Sequence, residues 1–93
     1  MAEIISGLVD RDGNIYKGEG FEVRKDDRYG YYLTFPSLKD IPNIVAQAWE
    51  IDDAITCVTI GHLPSPVQVL ISTLDKDGNF VPNAFTFIAV SNG

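Results

Sequence analysis

The chain is short of the residues on which catalysis and metal binding most often draw. Its 93 residues include one cysteine, Cys57, and one histidine, His62. A single cysteine excludes an intramolecular disulfide, so the fold does not depend on an oxidising compartment. Cys57 sits in the apolar run Ala54-Ile55-Thr56-Cys57-Val58-Thr59-Ile60, where a small buried hydrophobe is expected rather than a reactive thiol. His62 is too far along an extended strand to activate it. Basic residues are also scarce, seven against thirteen acidic ones, for a net charge of -6. That sign repels phosphate backbones, and the nearest basic cluster, Arg24, Lys25 and Arg28, is interrupted by Asp26 and Asp27, so no nucleic-acid partner is expected. Long apolar runs are missing too. Nothing approaches the length of a spanning helix, and Met1 to Gly7 lacks the basic start and apolar stretch of a secretory signal. A protein made in the cytoplasm and not inserted in a membrane is expected.

What is present reads as one all-β domain spanning 1–93. The apolar fraction of 45% is too high for a disordered chain, and turn signals recur at the spacing of short strands in an antiparallel sandwich of about six to eight strands. Ile4 to Val9 is apolar and β-branched, meets Asp10-Arg11-Asp12-Gly13-Asn14 and resumes at Ile15-Tyr16, which is a hairpin pattern. Gly18-x-Gly20 lacks the third glycine of a dinucleotide site and reads as a bulge or bend. Phe21 to Arg24 alternates, Asp26-Asp27-Arg28 turns, and Tyr29 to Phe35 returns with Tyr31, Leu33 and Phe35 on one core-facing side. Asn43 to Trp49 reads as a strand, although Ala46, Gln47 and Ala48 would also suit a short helix. Ile55 to Ile60 is a strand, Gly61 to Pro66 a loop, and Val67 to Leu74 a strand. Asp75 to Asn79 turns, and Pro82 demotes the segment after that turn to an edge or bulge. Phe85 to Val90 closes the chain.

One seven-residue template occurs twice. Val9-Asp10-Arg11-Asp12-Gly13-Asn14-Ile15 and Leu74-Asp75-Lys76-Asp77-Gly78-Asn79-Phe80 each set Asp-basic-Asp-Gly-Asn between apolar residues. The Asp-x-Asp-x-Asn spacing is like that of calcium ligands, but glycine falls fourth and no bidentate glutamate comes after it. The same hairpin turn used twice is expected, with no metal and no cofactor.

The last strand is apolar on both faces, with Phe85 and Phe87 pointing one way and Ile88 and Val90 the other. Leu70 likewise opposes Val69 and Ile71. An apolar outer face in a sandwich needs cover, either from a loop such as 36–42 or from another copy. The expected subunit interface comprises Phe85, Phe87, Ile88, Val90 and Leu70. The aromatics Tyr16, Tyr29, Tyr32 and Trp49 fit either packing or a sugar platform, in which a ring covers C–H groups while polar neighbours take hydroxyls. The candidate ligand-binding residues are Trp49, Tyr32, Tyr29 and His62. Glu19, Glu22, Asp52 and Asp53 offer carboxylates, but nothing singles out a catalytic pair, so no enzyme is expected.

Several elements together resemble a known family. They are Gly7-x-Val9 leading to Asp12-Gly13-Asn14-Ile15, then Gly18-x-Gly20-Phe21-x-Val23, Tyr31-x-Leu33-Thr34-Phe35 and Pro42-x-Ile44-Val45. The set ends with Asp77-Gly78 followed by Ala84-Phe85-x-Phe87-Ile88-Ala89-Val90. The pattern resembles the C-terminal β-sandwich tip domains of phage tail fibres and of collagen-like phage and bacterial proteins, which look like relatives of the H-type lectins. The resemblance implies a homotrimer at a virion fibre tip that recognises a glycan or cell-surface receptor. The chain departs from it at Asp27-Arg28-Tyr29-Gly30, where a small residue and glycine are usual. The alternative is a structural trimerisation module or an inhibitor- or immunity-like protein-binding module without a sugar ligand, its acidic charge suited to a basic partner.

Overall fold

The computed structural model describes residues 2–49, 56–64 and 67–92, the side chains of 56–64 excepted. Among these residues there are eight strands and no helix: β1 Glu3–Val9, β2 Ile15–Gly18, β3 Glu22–Asp26, β4 Gly30–Phe35, β5 Asn43–Ala48, β6 Thr56–Pro64, β7 Val67–Leu74 and β8 Phe85–Ser91. They form two antiparallel sheets packed face to face. Sheet A has the order β2-β1-β8-β5 and sheet B the order β3-β4-β7-β6. The fold is therefore the expected antiparallel sandwich, and Asn43 to Ala48 is strand rather than helix.

Period-two alternation decides which side chains meet between the sheets. Ile5 and Val9 of β1, Phe85, Phe87 and Ala89 of β8, Tyr31, Leu33 and Phe35 of β4, and Val67, Val69 and Ile71 of β7 are all buried. The aromatics form a seam along the interior. Phe87 lies edge-on to Phe21 at 4.8 Å and to Phe35 at 6.0 Å, and Tyr31 packs on Phe85 at 5.0 Å and on Phe80 at 5.9 Å. Gly7 makes room for this seam, since a Cβ there would sit 2.5 Å from the Phe21 ring. Its cross-strand partner Gly18 has φ 106° and leaves the ladder toward Gly20, forming the expected bend.

Two expectations are corrected. β6 runs on to Pro64, where the sequence suggests a loop from Gly61 to Pro66. A register shift between Gly61 and Pro64 absorbs the irregular segment and carries the ladder to Pro64 opposite Val67. Residues 65 and 66 lie outside the described residues, as do Asp52, Asp53 and the side chain of Cys57. The second Asp-Gly-Asn turn closes a short hairpin, as expected, with Val81 N–H also donating to the Thr73 carbonyl at 2.9 Å. After a single bridge between Leu74 and Phe80 the chain crosses from sheet B to sheet A. Pro82 has no N–H with which to continue the ladder. Phe85 and Phe87 are 0% and 1% exposed within one chain, so neither can belong to a subunit interface.

The 36–42 loop does not cover an outer face either. It crosses between the sheets and inserts Leu38 into the core, while Ser37 donates to Glu3 Oε2 at 2.8 Å.

The repeated turn is the same turn twice. Asp10 N–H donates to the Asn14 carbonyl at 2.9 Å and Gly13 N–H to the Asp10 carbonyl at 3.0 Å. The corresponding distances at Asp75 are 2.9 and 3.1 Å. In each turn the leading aspartate Oδ1 accepts two amides, from Asp12 and Asn14 or from Asp77 and Asn79. Gly13 and Gly78 take φ of 91° and 83°, which the glycine supplies without strain.

Two titrations bear on stability. The Asn14 amide, with the Asp12 amide adding to it against some desolvation, holds the Asp10 carboxyl below its ordinary range. A depressed carboxyl stabilises the fold above its unfolded pKa and loses that contribution as pH falls through the folded value. Asp10→Ala is expected to lower unfolding stability by about 1 kcal/mol at neutral pH, the size of a lost cap, and urea titrations should show the difference closing below about pH 4. Tyr31 donates its hydroxyl to the Arg11 carbonyl at 2.7 Å, and burial pushes its pKa up to about 12. A raised phenol favours the fold below its unfolded pKa and ceases to as pH rises through the folded one. Wild type should therefore lose stability between about pH 10 and 12, and Tyr31→Phe should remove that part of the alkaline slope in denaturant titrations.

Candidate functional site

The two outer faces of the sandwich differ in chemistry. On sheet B, Glu22, Thr34 and Gln68 form one cross-strand row and Arg24, Tyr32 and Leu70 the next. Gln68 Nε2 donates to Thr34 Oγ1 at 3.2 Å, and the Arg24 guanidinium lies 4.5 Å from the Tyr32 ring centroid. Across β3, β4 and β7 this face is mainly polar, and these two contacts join its side chains. On sheet A the rows are Ile4-Val90-Asn43, Ser6-Ile88-Val45 and Lys17-Leu8-Thr86-Gln47. Lys17, on edge strand β2, is the one charged residue in these rows, in a chain of which 22% is charged. Ile4 is 69% exposed, Val45 70% and Ile88 51%. The alternation that buries Phe85, Phe87 and Ala89 forces Ile88 and Val90 outward.

Two large aromatics stand at one end of this face. Trp49 follows β5 and is fixed by its N–H, which donates to the Ala84 carbonyl at 2.8 Å, continuing the β5–β8 register one pair beyond the strand. Tyr16 lies on edge strand β2, beside the first turn. Both rings are exposed, Tyr16 at 71% and Trp49 at 61%. Together with Leu8, Asp10, Lys17 and Ala84 they line a concavity of about 500 Å³. A second depression of about 330 Å³ shares Leu8, Lys17 and Trp49 with it and reaches Thr86 and Ile88. A third, of about 190 Å³, shares Thr86 and Ile88 and ends at Val45 and Gln47. The three join into one shallow groove across sheet A, with aromatic rings and a pair of opposite charges at one end and an uncharged floor along the rest.

The chemistry available in the groove is recognition. Asp10 is held ionised by its turn amides, so it acts as an acceptor, and a carboxylate accepts at about four positions, more than the turn uses. Lys17 supplies donors. Among the described residues no three of His, Cys, Asp and Glu converge as metal ligands.

The expected binding residues do not form one site. Trp49 is on sheet A. Tyr32 is on the opposite outer face beneath Arg24, and Tyr29 is in the β3–β4 turn, where its carbonyl accepts from Ser72 Oγ and its ring lies 5.8 Å from the Arg28 guanidinium. His62 falls in β6, and its side chain lies outside the described residues. The aromatic that lines the same concavity as Trp49 is Tyr16, one of the aromatics the sequence offers but outside the expected binding set. Ile88 and Val90 lie on the sheet A face, while Leu70 belongs to sheet B, so the expected interface residues divide as well. No match is found for this chain among known protein families, curated proteins or solved structures.

Proposed function

We propose that this protein is a non-catalytic binding module that holds a carbohydrate, as a glycan or a cell-surface polymer, in the groove on the outer face of sheet A. The carrying observation is the pair of exposed aromatics, Tyr16 and Trp49, that line one concavity together with Asp10 and Lys17. Aromatic faces match the apolar C–H patches of a pyranose, and the flanking carboxylate and ammonium match its hydroxyls. The groove continues past Thr86 toward Val45, which suits several residues of a polymer better than a lone monosaccharide. The fibre-tip resemblance in the sequence points the same way, and with it to a homo-oligomer that presents several sites at once, where weak single-site affinity is raised by avidity.

A glycan array followed by calorimetry on the hits tests this reading. Trp49→Ala and Tyr16→Ala should each weaken binding about tenfold, equivalent to about 1.4 kcal/mol, while Tyr32→Ala on the opposite face should leave it unchanged. Binding that survives both groove variants would place the site elsewhere. A folded protein that retains no glycan would favour the structural or protein-binding alternative.

A further inference from the structure

Sheet edges present unpaired amides and carbonyls, and natural proteins protect them with charge, proline, shortness or bulges. Three of the four edges in this sandwich are protected. β2 is four residues long, carries Lys17, meets β1 through a register shift and ends on Gly18 at φ 106°. β3 reads Glu-Val-Arg-Lys-Asp. β6 has a register shift at its end and stops at Pro64. β5 has none of these devices. Its six residues, Asn-Ile-Val-Ala-Gln-Ala, contain no charge, proline or glycine, and its register with β8 is unbroken from Asn43 opposite Val90 to Ala48 opposite Phe85. β6 runs nearby in the other sheet but forms no ladder with it.

We propose that β5 is the edge through which two copies of this chain pair, antiparallel about a twofold axis at Val45, joining their A sheets into one of eight strands. The backbone sets the frame. Trp49 donates toward β8, so odd-numbered residues of β5 direct their amides to β8, and Ile44, Ala46 and Ala48 direct theirs to the open edge. Ile44 opposite the partner's Ala46, taken twice, makes about four backbone hydrogen bonds. Val45 then faces the partner's Val45 as a non-hydrogen-bonded pair, and Asn43 faces the partner's Gln47, an amide pair able to bond across the seam. Ile41 and Trp49 flank the strand, exposed at 41% and 61%.

Charge selects a second copy as the occupant. Each chain carries -6, so most of its surface repels another copy, whereas a basic partner would be drawn to the acidic turns. The β5 edge carries no charge, and the outer face beside it carries none across β5, β8 and β1, Lys17 lying on the far strand β2, so there two copies meet without repulsion. The pairing gives an even number of chains, where the fibre-tip resemblance implies three. It does not depend on sugar binding.

Sedimentation equilibrium without any glycan is the first test, and the expected mass is twice the 10.2 kDa chain, with a micromolar Kd because edge pairing buries less than a standard interface. Val45→Lys puts two ammonium groups across the axis and should raise that Kd at least tenfold with unchanged far-UV circular dichroism. Val45→Cys should form a disulfide-linked dimer on mild oxidation, since a non-hydrogen-bonded pair has the Cα spacing a disulfide needs. Cys57 is retained throughout, so the unsubstituted chain gives the background. A monomer at concentrations on the order of 100 μM, a trimer, or cross-linking through Ile88→Cys in place of Val45→Cys would overturn the proposal. The last result would show the outer faces packing against each other instead.

Discussion

The structure depends on one constraint, that the inward faces of β8 and β4 must be filled by the same aromatic seam. Phe85 and Phe87 come from sheet A, Tyr31 and Phe35 from sheet B, and all four are buried to 1% exposure or less. A strand alternates with period two, so fixing its inner residues fixes its outer ones, and a one-residue slip would exchange the faces. Once Phe85 and Phe87 are inside, Thr86, Ile88 and Val90 must be outside. The ladders to β1 and β5 then set Ile4 and Val45 beside them. The apolar outer face is thus a consequence of the core. Gly7 belongs to the same constraint, because the Phe21 ring occupies the space its side chain would need.

What was legible in the sequence was local. The repeated Asp-basic-Asp-Gly-Asn template named a turn, and both copies fold with the same hydrogen bonds because each leading aspartate reaches amides two and four residues on. Alternation named the inner face of β4 correctly for the same reason. The long-range consequences were not legible. Phe85 and Phe87 look as exposed as Ile88 in a strand that is apolar on both sides, since periodicity separates two faces without saying which is inside. Trp49 and Tyr32 are both aromatics next to polar residues, yet they end on opposite faces because β4 and β5 belong to different sheets. Tyr16 and Trp49 line one concavity although β1 and β8 lie between β2 and β5 in the order of sheet A, and strand order is not a property of any local window. β6 outran its expected end because a register shift accommodates a proline that local reasoning takes as a stop.

The distribution of charge says more than its total. The turns hold much of it, at Asp10, Arg11 and Asp12, at Asp26, Asp27 and Arg28, and at Asp75, Lys76 and Asp77, with a further concentration on β3. Within the turns, Asp10, Asp26 and Asp75 serve structure, accepting backbone amides that would otherwise be left to water. Across β1, β8 and β5 the outer face of sheet A is left bare of charge. Were the acidic excess there for solubility alone, it would be placed to break up the largest apolar surface, and Ile4, Val45 and Ile88 would be the positions to change. Their remaining apolar in an otherwise well-charged chain is the observation that the proposed binding face accounts for.

The groove and the open edge fit together in one arrangement. Edge pairing at β5 extends a sheet in its own plane, so it consumes backbone groups on the rim and leaves the outer face open. A twofold axis perpendicular to the sheet at Val45 keeps both outer faces on the same side. The groove of one copy runs from Tyr16 and Trp49 to Val45 and Gln47, so in the pair it would continue across the axis into the groove of the other and end at a second Tyr16–Trp49 pair. Packing the two faces against each other would instead bury both aromatic ends. A polymer with repeating units can use two identical ends joined by an uncharged floor, and it gains from them the effective concentration that a single shallow site lacks. An unprotected edge beside an unprotected face is a liability in one chain, and the same pair of features would make two chains a longer binding surface than either alone.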